Sequence, residues 1–133
     1  MAIVKTVLVN DGGAPSRIIN FTAGEALEAG EALKVHTDGT VKLATSNKAP
    51  VLGFALTDTA NGDVASVVTG RGIIINAITD NVAAGDLLSV DASTAGFLET
   101  KTAYADGTEE DVVIAIALET NSVTDTMTKV MVL

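Results

Sequence analysis

The sequence predicts an all-β fold, a small single-domain β-barrel with an extended N-terminal arm and at most one short helix. Short segments rich in Val, Ile and Thr recur along the 133 residues, and these residue types favour strands. Asn-Gly and Asp-Gly pairs, which favour tight hairpins because both turn residues take a positive φ, separate several of the segments. The spacing between segments, roughly 8–12 residues, is typical of barrels and sandwiches rather than of alternating strands and helices.

Eleven segments are predicted strands, with turn residues between most of them. The two prolines, Pro15 and Pro50, fall at segment boundaries, where the missing N–H costs little. The segments are Val4–Val9, Arg17–Thr22, Ala32–His36, Thr40–Ala44, Val51–Thr57, Val64–Thr69, Gly72–Asn76, Asp86–Val90, Gly96–Thr100, Val112–Leu118 and Thr128–Leu133.

One segment has a different character. Ala23–Lys34 (AGEALEAGEALK) consists mostly of strong helix formers. Gly24 and Gly30 each weaken a helix by about 1 kcal/mol relative to alanine. We therefore expect at most one helical turn, near Ala26–Ala29, followed by a turn and a strand.

The chain contains an internal similarity. Glu28–Val35 (EAGEALKV) lines up with Ala83–Val90 (AAGDLLSV), and Val51–Leu56 lines up with Val113–Leu118. The spacing between the two copies increases along the chain, so we expect an inserted loop near Lys101–Asp111. Two similar halves suit a barrel built by internal duplication. The alternative is that Ala-Gly-acidic turns recur by chance in a chain rich in Ala and Gly.

Composition predicts an aliphatic core and self-association or docking on a larger body. Hydrophobic residues make up 47% of the chain but aromatic residues only 3%. Small aliphatic side chains remove less area from water than aromatic rings do. A core built from them gives less stability per residue, which favours association.

Composition also excludes several classes of protein. Without cysteine, the chain has no disulfide, thiol nucleophile or Cys-ligated metal site. A formal net charge of −9 repels phosphate and argues against nucleic-acid binding. The longest apolar run, Val112–Leu118, is far shorter than a membrane span. Lys5 interrupts the apolar N-terminal stretch, and we expect no signal peptide.

No motif predicts an active site, a cofactor or a metal. His36 is the single histidine and the only candidate for a general base, and a partly exposed strand histidine is the simpler interpretation. The acidic cluster Glu109-Glu110-Asp111 lacks the spacing of a calcium-binding loop. Gly70-Arg71-Gly72 precedes a predicted strand, not a helix, and so favours a bend over a phosphate loop. We therefore expect a structural or binding protein, not an enzyme.

Several short motifs, taken in order, resemble the capsid cement (decoration) proteins of tailed bacteriophages. The similarity runs from about Phe21 to Leu133. The Arg71-Gly72 insertion departs from the family pattern, and residues 1–20 do not align. The motifs are Ala29-Gly30-Glu31, Gly53-Phe54-Ala55-Leu56-Thr57-Asp58, Asn61-Gly62-Asp63-Val64, Thr69-Gly70-Arg71-Gly72-Ile73, Val82-Ala83-Ala84-Gly85-Asp86, Ile116-Ala117-Leu118-Glu119 and Val130-Met131-Val132-Leu133.

This resemblance implies a small β-barrel on the outer surface of an icosahedral phage head, commonly as trimers at local threefold positions. The expected partners are the major capsid protein and further copies of the chain, with neither nucleic acid nor membrane. The expected location is the outer surface of the virion capsid, and the host cytoplasm during assembly. The alternative is a β-barrel module of a tail or cell surface that binds carbohydrate or a small ligand.

The N-terminal arm, residues 1–20, is the candidate capsid contact, and residues 21–133 are the barrel domain. An apolar strand followed by a flexible Asn-Asp-Gly-Gly-Ala-Pro joint can close its own barrel or add a strand to a partner. Both possibilities remain open, and we expect the arm to make contacts beyond its own barrel. The candidate contact residues are Ile3, Lys5, Val7, Val9 and Arg17.

Overall fold

The computed structural model describes residues 7–10, 17–101 and 112–133, and over these ranges the fold is all-β. Each observed strand overlaps one predicted segment, and no helix occurs in the described ranges, so none there could span a membrane. The strands are β1 (Leu8–Asn10), β2 (Arg17–Thr22), β3 (Ala32–Val35), β4 (Val41–Leu43), β5 (Gly53–Ala55), β6 (Val64–Thr69), β7 (Ile74–Thr79), β8 (Leu87–Val90), β9 (Leu98–Thr100), β10 (Ala115–Ala117) and β11 (Thr126–Val132).

The predicted helical turn at Ala26–Ala29 does not form. Leu27 instead exchanges two backbone hydrogen bonds with Thr59, at 2.8 and 2.9 Å. Side-chain burial favours this extended path, because Leu27 is 2% exposed and packs in the core. Tertiary packing therefore overrides the local helix propensity of the segment.

The strands form two sheets, and the predicted barrel is confirmed. In the six-stranded sheet, of order β1-β7-β11-β10-β8-β9, a parallel pairing of Thr79 with Leu98 joins β9 back to β7. Five strands thereby close into a barrel, and β1 lies outside it on β7. In the five-stranded sheet, of order β2-β6-β5-β3-β4, a parallel bridge from Ala23 to Val41 brings the two ends together in the same way.

The two halves of the chain repeat one another strand by strand. The order β2-β6-β5-β3-β4 corresponds to β7-β11-β10-β8-β9. Individual bonds repeat too: the N–H of Gly30 donates to the carbonyl of Ala55 at 2.8 Å, and that of Gly85 to the carbonyl of Ala117 at 2.8 Å. The internal sequence similarity therefore marks a repeated fold rather than a chance recurrence of turns. The predicted loop insertion falls mainly on residues 102–111, which lie outside the described residues.

The core is aliphatic, as the composition predicts. Its main cluster draws on both halves, with Val68 and Phe54 from the first and Leu88, Leu98 and Val130 from the second. A second cluster lies within the first half. Among the buried hydrophobic side chains of the described residues, Phe54 is the single aromatic one.

Candidate functional site

The most exposed apolar strand of the described chain is β2. It lies at one end of the five-stranded sheet and pairs with β6 alone over Arg17–Thr22. Ile18 is 54% exposed and Ile19 is 38% exposed, although neighbouring side chains in an extended strand point to opposite faces. The strand therefore presents apolar side chains to solvent on both faces, which is a property of a docking surface.

The backbone of β2 also has an open edge. The carbonyl of Ser66 in β6 accepts the N–H of Leu56 on the β5 side. Because N–H and C=O groups alternate in direction along an antiparallel pair, Ile19 then bonds towards β6, and Ile18, Asn20 and Thr22 face away from it. Ile18 and Asn20 turn their backbone groups to an edge where no described strand pairs, whereas Thr22 lies beside the bridge from Ala23 to Val41 of β4.

The candidate contact residues of the arm that the structure describes differ in their exposure to solvent. Val7 is 1% exposed and packs in the core of its own chain, so its side chain is not available to a partner. The barrel that Val7 adjoins covers this apolar side chain. Val9 is 44% exposed, and Arg17 is exposed at the start of β2. Ile3 and Lys5 lie outside the described residues.

The described residues of the arm are divided between the two sheets. Its first described part forms β1, which pairs with β7 of the same chain. Its last part is β2, and the predicted domain boundary between residues 20 and 21 falls inside that strand.

A pocket of about 330 Å³ opens where the two halves meet. Equivalent residues of the repeat line it from both sides, such as Val51 and Val113, together with the exposed cation Arg71. Among the described residues that line the pocket, Phe54 is the single aromatic one, and at 1% exposure it offers no open ring face on which a sugar could stack. The pocket therefore gives no support to the carbohydrate alternative.

Three carboxyl groups meet where β9 pairs with β7 and closes the barrel of the six-stranded sheet. Asp80 follows β7, Asp91 follows β8, and Glu99 lies in β9. One carboxylate oxygen from each residue lies within 4.8 Å of those from the other two. Asp91 is 4% exposed, and its Oδ1 accepts the N–H groups of Ser93 and Thr94 at 2.7 and 3.1 Å. The three residues are not neighbours in the sequence, and the pairing of β9 with β7 and β8 brings them together.

This carboxyl cluster holds a proton near neutral pH. The hydrogen bond to Asp91, then burial, then the negative charges of Asp91 and Glu99 raise the pKa of Asp80 to about 7. A hydrogen bond to the protonated carboxyl, burial and nearby negative charge each favour the neutral form of a carboxyl group. Asp80 is therefore the carboxyl of this cluster whose protonated form the folded state favours.

The cluster predicts a decrease in stability as the pH rises. The pKa of Asp80 is raised above its unfolded value of 3.8, so the folded state binds more protons between pH 3.8 and about 7. The free energy of unfolding contributed by this group is fully present below that window and falls as the pH rises through it. Urea unfolding followed by circular dichroism at pH 5 and pH 8 should show lower stability at pH 8, and Asp80→Asn should flatten the difference.

A matched variant separates the cluster from the general effect of net charge. Asp63→Asn removes one negative charge at an exposed position, and it should leave the pH dependence of the wild type in place. Equal flattening by Asp63→Asn and Asp80→Asn would contradict the assignment to the cluster.

The other residues that the sequence analysis considered for catalysis or metal binding are not brought together in one described site. His36 is partly exposed in the turn after β3, where its N–H donates to the carbonyl of Thr40 at 2.8 Å. In that turn, hydrogen bonds from the Thr40 side chain and backbone lower the pKa of Asp38. The acidic segment Glu109-Glu110-Asp111 lies outside the described residues.

Comparison with known proteins identifies a shared fold. No protein-family model matches this chain, and no curated protein sequence does. The structure is similar to the solved structure of the head fiber gp8.5 N base of bacteriophage phi29, with a TM-score of 0.67 and 15% sequence identity. The match covers 90% of this chain and 95% of that chain. The shared fold therefore includes both halves of the repeat.

Proposed function

We propose that this protein is a virion structural protein that decorates the head of a tailed bacteriophage. It binds the outer surface of the icosahedral shell as a homotrimer and stabilises the shell by clamping neighbouring subunits of the major capsid protein. The observation that carries the proposal is the fold shared with a phage head fiber base over 90% of the chain. The cement-protein motifs of the sequence support the same assignment independently.

The surface of the molecule is compatible with this role. The net charge of −9 favours the outside of a head over its DNA-filled interior. The exposed apolar strand β2 and the exposed Val9 supply area for broad contacts in a chain with few aromatic residues. Arg17, at the start of β2, supplies a cation that can pair with an acidic neighbour.

The clamping mechanism follows from mass action. A protein that binds the intact shell and not its separated subunits stabilises the shell by about 2.7 kcal/mol per site when its free concentration is a hundred times Kd. A shell offers many identical sites, so contacts between adjacent bound copies add to each weak individual contact. The function needs neither a catalytic residue nor a cofactor, and we propose that the protein is not an enzyme.

The amount of this chain in virus particles tests the proposal. Mass spectrometry of gradient-purified particles should find it in near-stoichiometric amounts relative to the major capsid protein, and the same gradient fractions of an uninfected culture should lack it. A few copies per particle would overturn decoration in favour of a fibre or tail component. Complete absence from particles would overturn the virion assignment and favour the ligand-binding module.

Stabilisation needs a separate measurement. Heads that lack this protein should release their DNA at a higher temperature after the purified chain is added back, and a protein of similar charge should have no effect. Binding without any rise in the release temperature would contradict the clamping mechanism while leaving decoration intact.

A further inference from the structure

One difference between the two halves of the repeat lies at the outer edge of their first strands, β2 and β7. Ile18-Ile19-Asn20 in β2 and Ile74-Ile75-Asn76 in β7 have the same sequence and occupy equivalent positions. Hydrogen bonds just after the two segments show the equivalence. The N–H of Gly24, four residues after Asn20, donates to the carbonyl of Val41, and the N–H of Asp80, four residues after Asn76, donates to the carbonyl of Leu98. The same strand therefore occurs twice in one chain.

Among the described strands, one covers the edge of β7 and none covers that of β2. The N–H of Asn76 donates to the carbonyl of Val7 at 2.7 Å, so β1 lies along the outer edge of β7. Four of the six residues of β7 are buried, whereas five of the six residues of β2 are exposed. Within the described chain, nothing occupies the place beside Asn20 that β1 occupies beside Asn76.

We infer that this open edge of β2 receives β1 of a second copy of the same chain. A strand of this chain already covers the equivalent edge of β7, so the chain itself shows which kind of strand fits there. Among the described strands, β1 lies at one end of the six-stranded sheet and β2 at one end of the five-stranded sheet. Val9 in β1 is exposed, and so are Ile18 and Ile19 in β2. Main-chain hydrogen bonds between these edges would join the six-stranded sheet of one copy to the five-stranded sheet of the next.

Such a contact is head-to-tail, because each copy uses β1 on one side and β2 on the other. Heterologous contacts of this kind generate a closed ring when the rotation between copies closes. The inference deepens the proposed function by naming the surface through which copies associate, and it rests on the self-association included there. It does not depend on which surface faces the shell, so measurements in solution test it separately from binding to heads.

A pair of variants at one position isolates the backbone contribution. Asn20→Ala and Asn20→Pro both remove the side chain that accepts the Ser66 hydroxyl at 3.3 Å. Only the proline also removes the outward N–H, and an edge strand tolerates proline when its N–H is not bonded to the sheet. In sedimentation equilibrium from about 1 µM to about 1 mM, we expect Asn20→Ala to assemble like the wild type. We expect Asn20→Pro to raise the dissociation constant of the assembly at least about tenfold.

Hydrogen exchange on the wild-type chain tests the same edge without a substitution. The amides of Ile18 and Asn20 should become protected as the protein concentration rises. The amide of Ile19, bonded to β6 in its own chain, should be protected at all concentrations. This measurement decides the question if circular dichroism shows that Asn20→Pro does not fold.

Cross-linking tests the identity of the added strand. The chain has no cysteine, so single cysteines introduced as Val9→Cys and Ile18→Cys are the only reactive thiols. A short bis-maleimide should join a mixture of the two variants into dimers, and neither variant alone should give them in comparable yield. Cross-links within Ile18→Cys alone would overturn the head-to-tail contact in favour of a symmetric pairing of β2 with β2.

Three further results would overturn the inference. These are a wild-type chain that stays monomeric over the whole concentration range, an Asn20→Pro variant that assembles as tightly as Asn20→Ala, and amides of Ile18 and Asn20 that become protected only when phage heads are added. The last result would assign the edge of β2 to the shell protein and would leave the proposed decoration function standing.

Discussion

Replacing Phe54 with alanine is expected to lower the free energy of unfolding by about 3–5 kcal/mol, the usual cost of truncating a buried phenylalanine. Phe54 is 1% exposed and lies in β5 between Ala32 of β3 and Val68 of β6. It is the largest side chain of a core that is otherwise aliphatic within the described residues. The small neighbours leave few groups that could move to fill the space.

Urea unfolding followed by circular dichroism at one fixed protein concentration measures this effect. Phe54→Leu keeps most of the volume and should cost less than about 1.5 kcal/mol. Phe21→Ala removes the same ring from a half-buried position in β2 and should cost clearly less than Phe54→Ala. Equal losses at Phe54 and Phe21 would contradict the assignment of Phe54 to the centre of the core.

A second large effect is expected at Gly30, and the repeat supplies its control at Gly85. The two glycines have φ values of 89° and 88° in equivalent turns, so alanine at either position is strained by the left-handed backbone. A Cβ on Gly30 would lie 3.0 Å from Cε of Met127 and 3.1 Å from the carbonyl oxygen of Asn76. A Cβ on Gly85 would meet nothing within 4 Å.

We therefore expect Gly85→Ala to destabilise the protein by about 1 kcal/mol, through backbone strain alone. Gly30→Ala should cost about 2–4 kcal/mol, because overpacking adds to that strain. The extra cost arises at the contact between the two halves, where the carbonyl of Gly30 accepts the N–H of Ile78 at 2.9 Å. Thermal and urea unfolding of both variants measure the difference, and equal losses would show that the two halves are not closely packed at Gly30.

The repeated fold could be predicted from short sequence patterns. Turns such as Ala29-Gly30-Glu31 and Ala84-Gly85-Asp86 have similar sequences because each turn needs a glycine at a positive φ. A further signal, the repeated Ile-Ile-Asn of β2 and β7, marks the strands that follow the same path in both halves. No comparable pattern predicts the carboxyl cluster, since Asp80, Asp91 and Glu99 share no motif.

The conformation of Ala26–Ala29 shows why a local pattern can mislead. The residues of this segment favour a helix, but burying Leu27 against the first-half core requires an extended path. Helix propensities differ by less than about 1 kcal/mol per residue for ordinary residues, whereas burying a leucine contributes roughly 1.5–3 kcal/mol. Burial of Leu27 therefore outweighs the helix propensity of its neighbours, and the segment is extended.

Local sequence is sufficient to predict the all-β class, the approximate positions of the strands, the aliphatic core and the repeat. Each of these depends on side-chain alternation, turn chemistry and composition, which act over a few neighbouring residues. Tertiary contacts, in contrast, determine that Val7 is buried while Val9 is exposed. They also determine that β1 pairs with the edge of β7, whereas no strand of the described ranges pairs with that of β2. The identical Ile-Ile-Asn segments are exposed in β2 and half-buried or buried in β7, because burial depends on which distant strand lies alongside. Local sequence does not encode that choice.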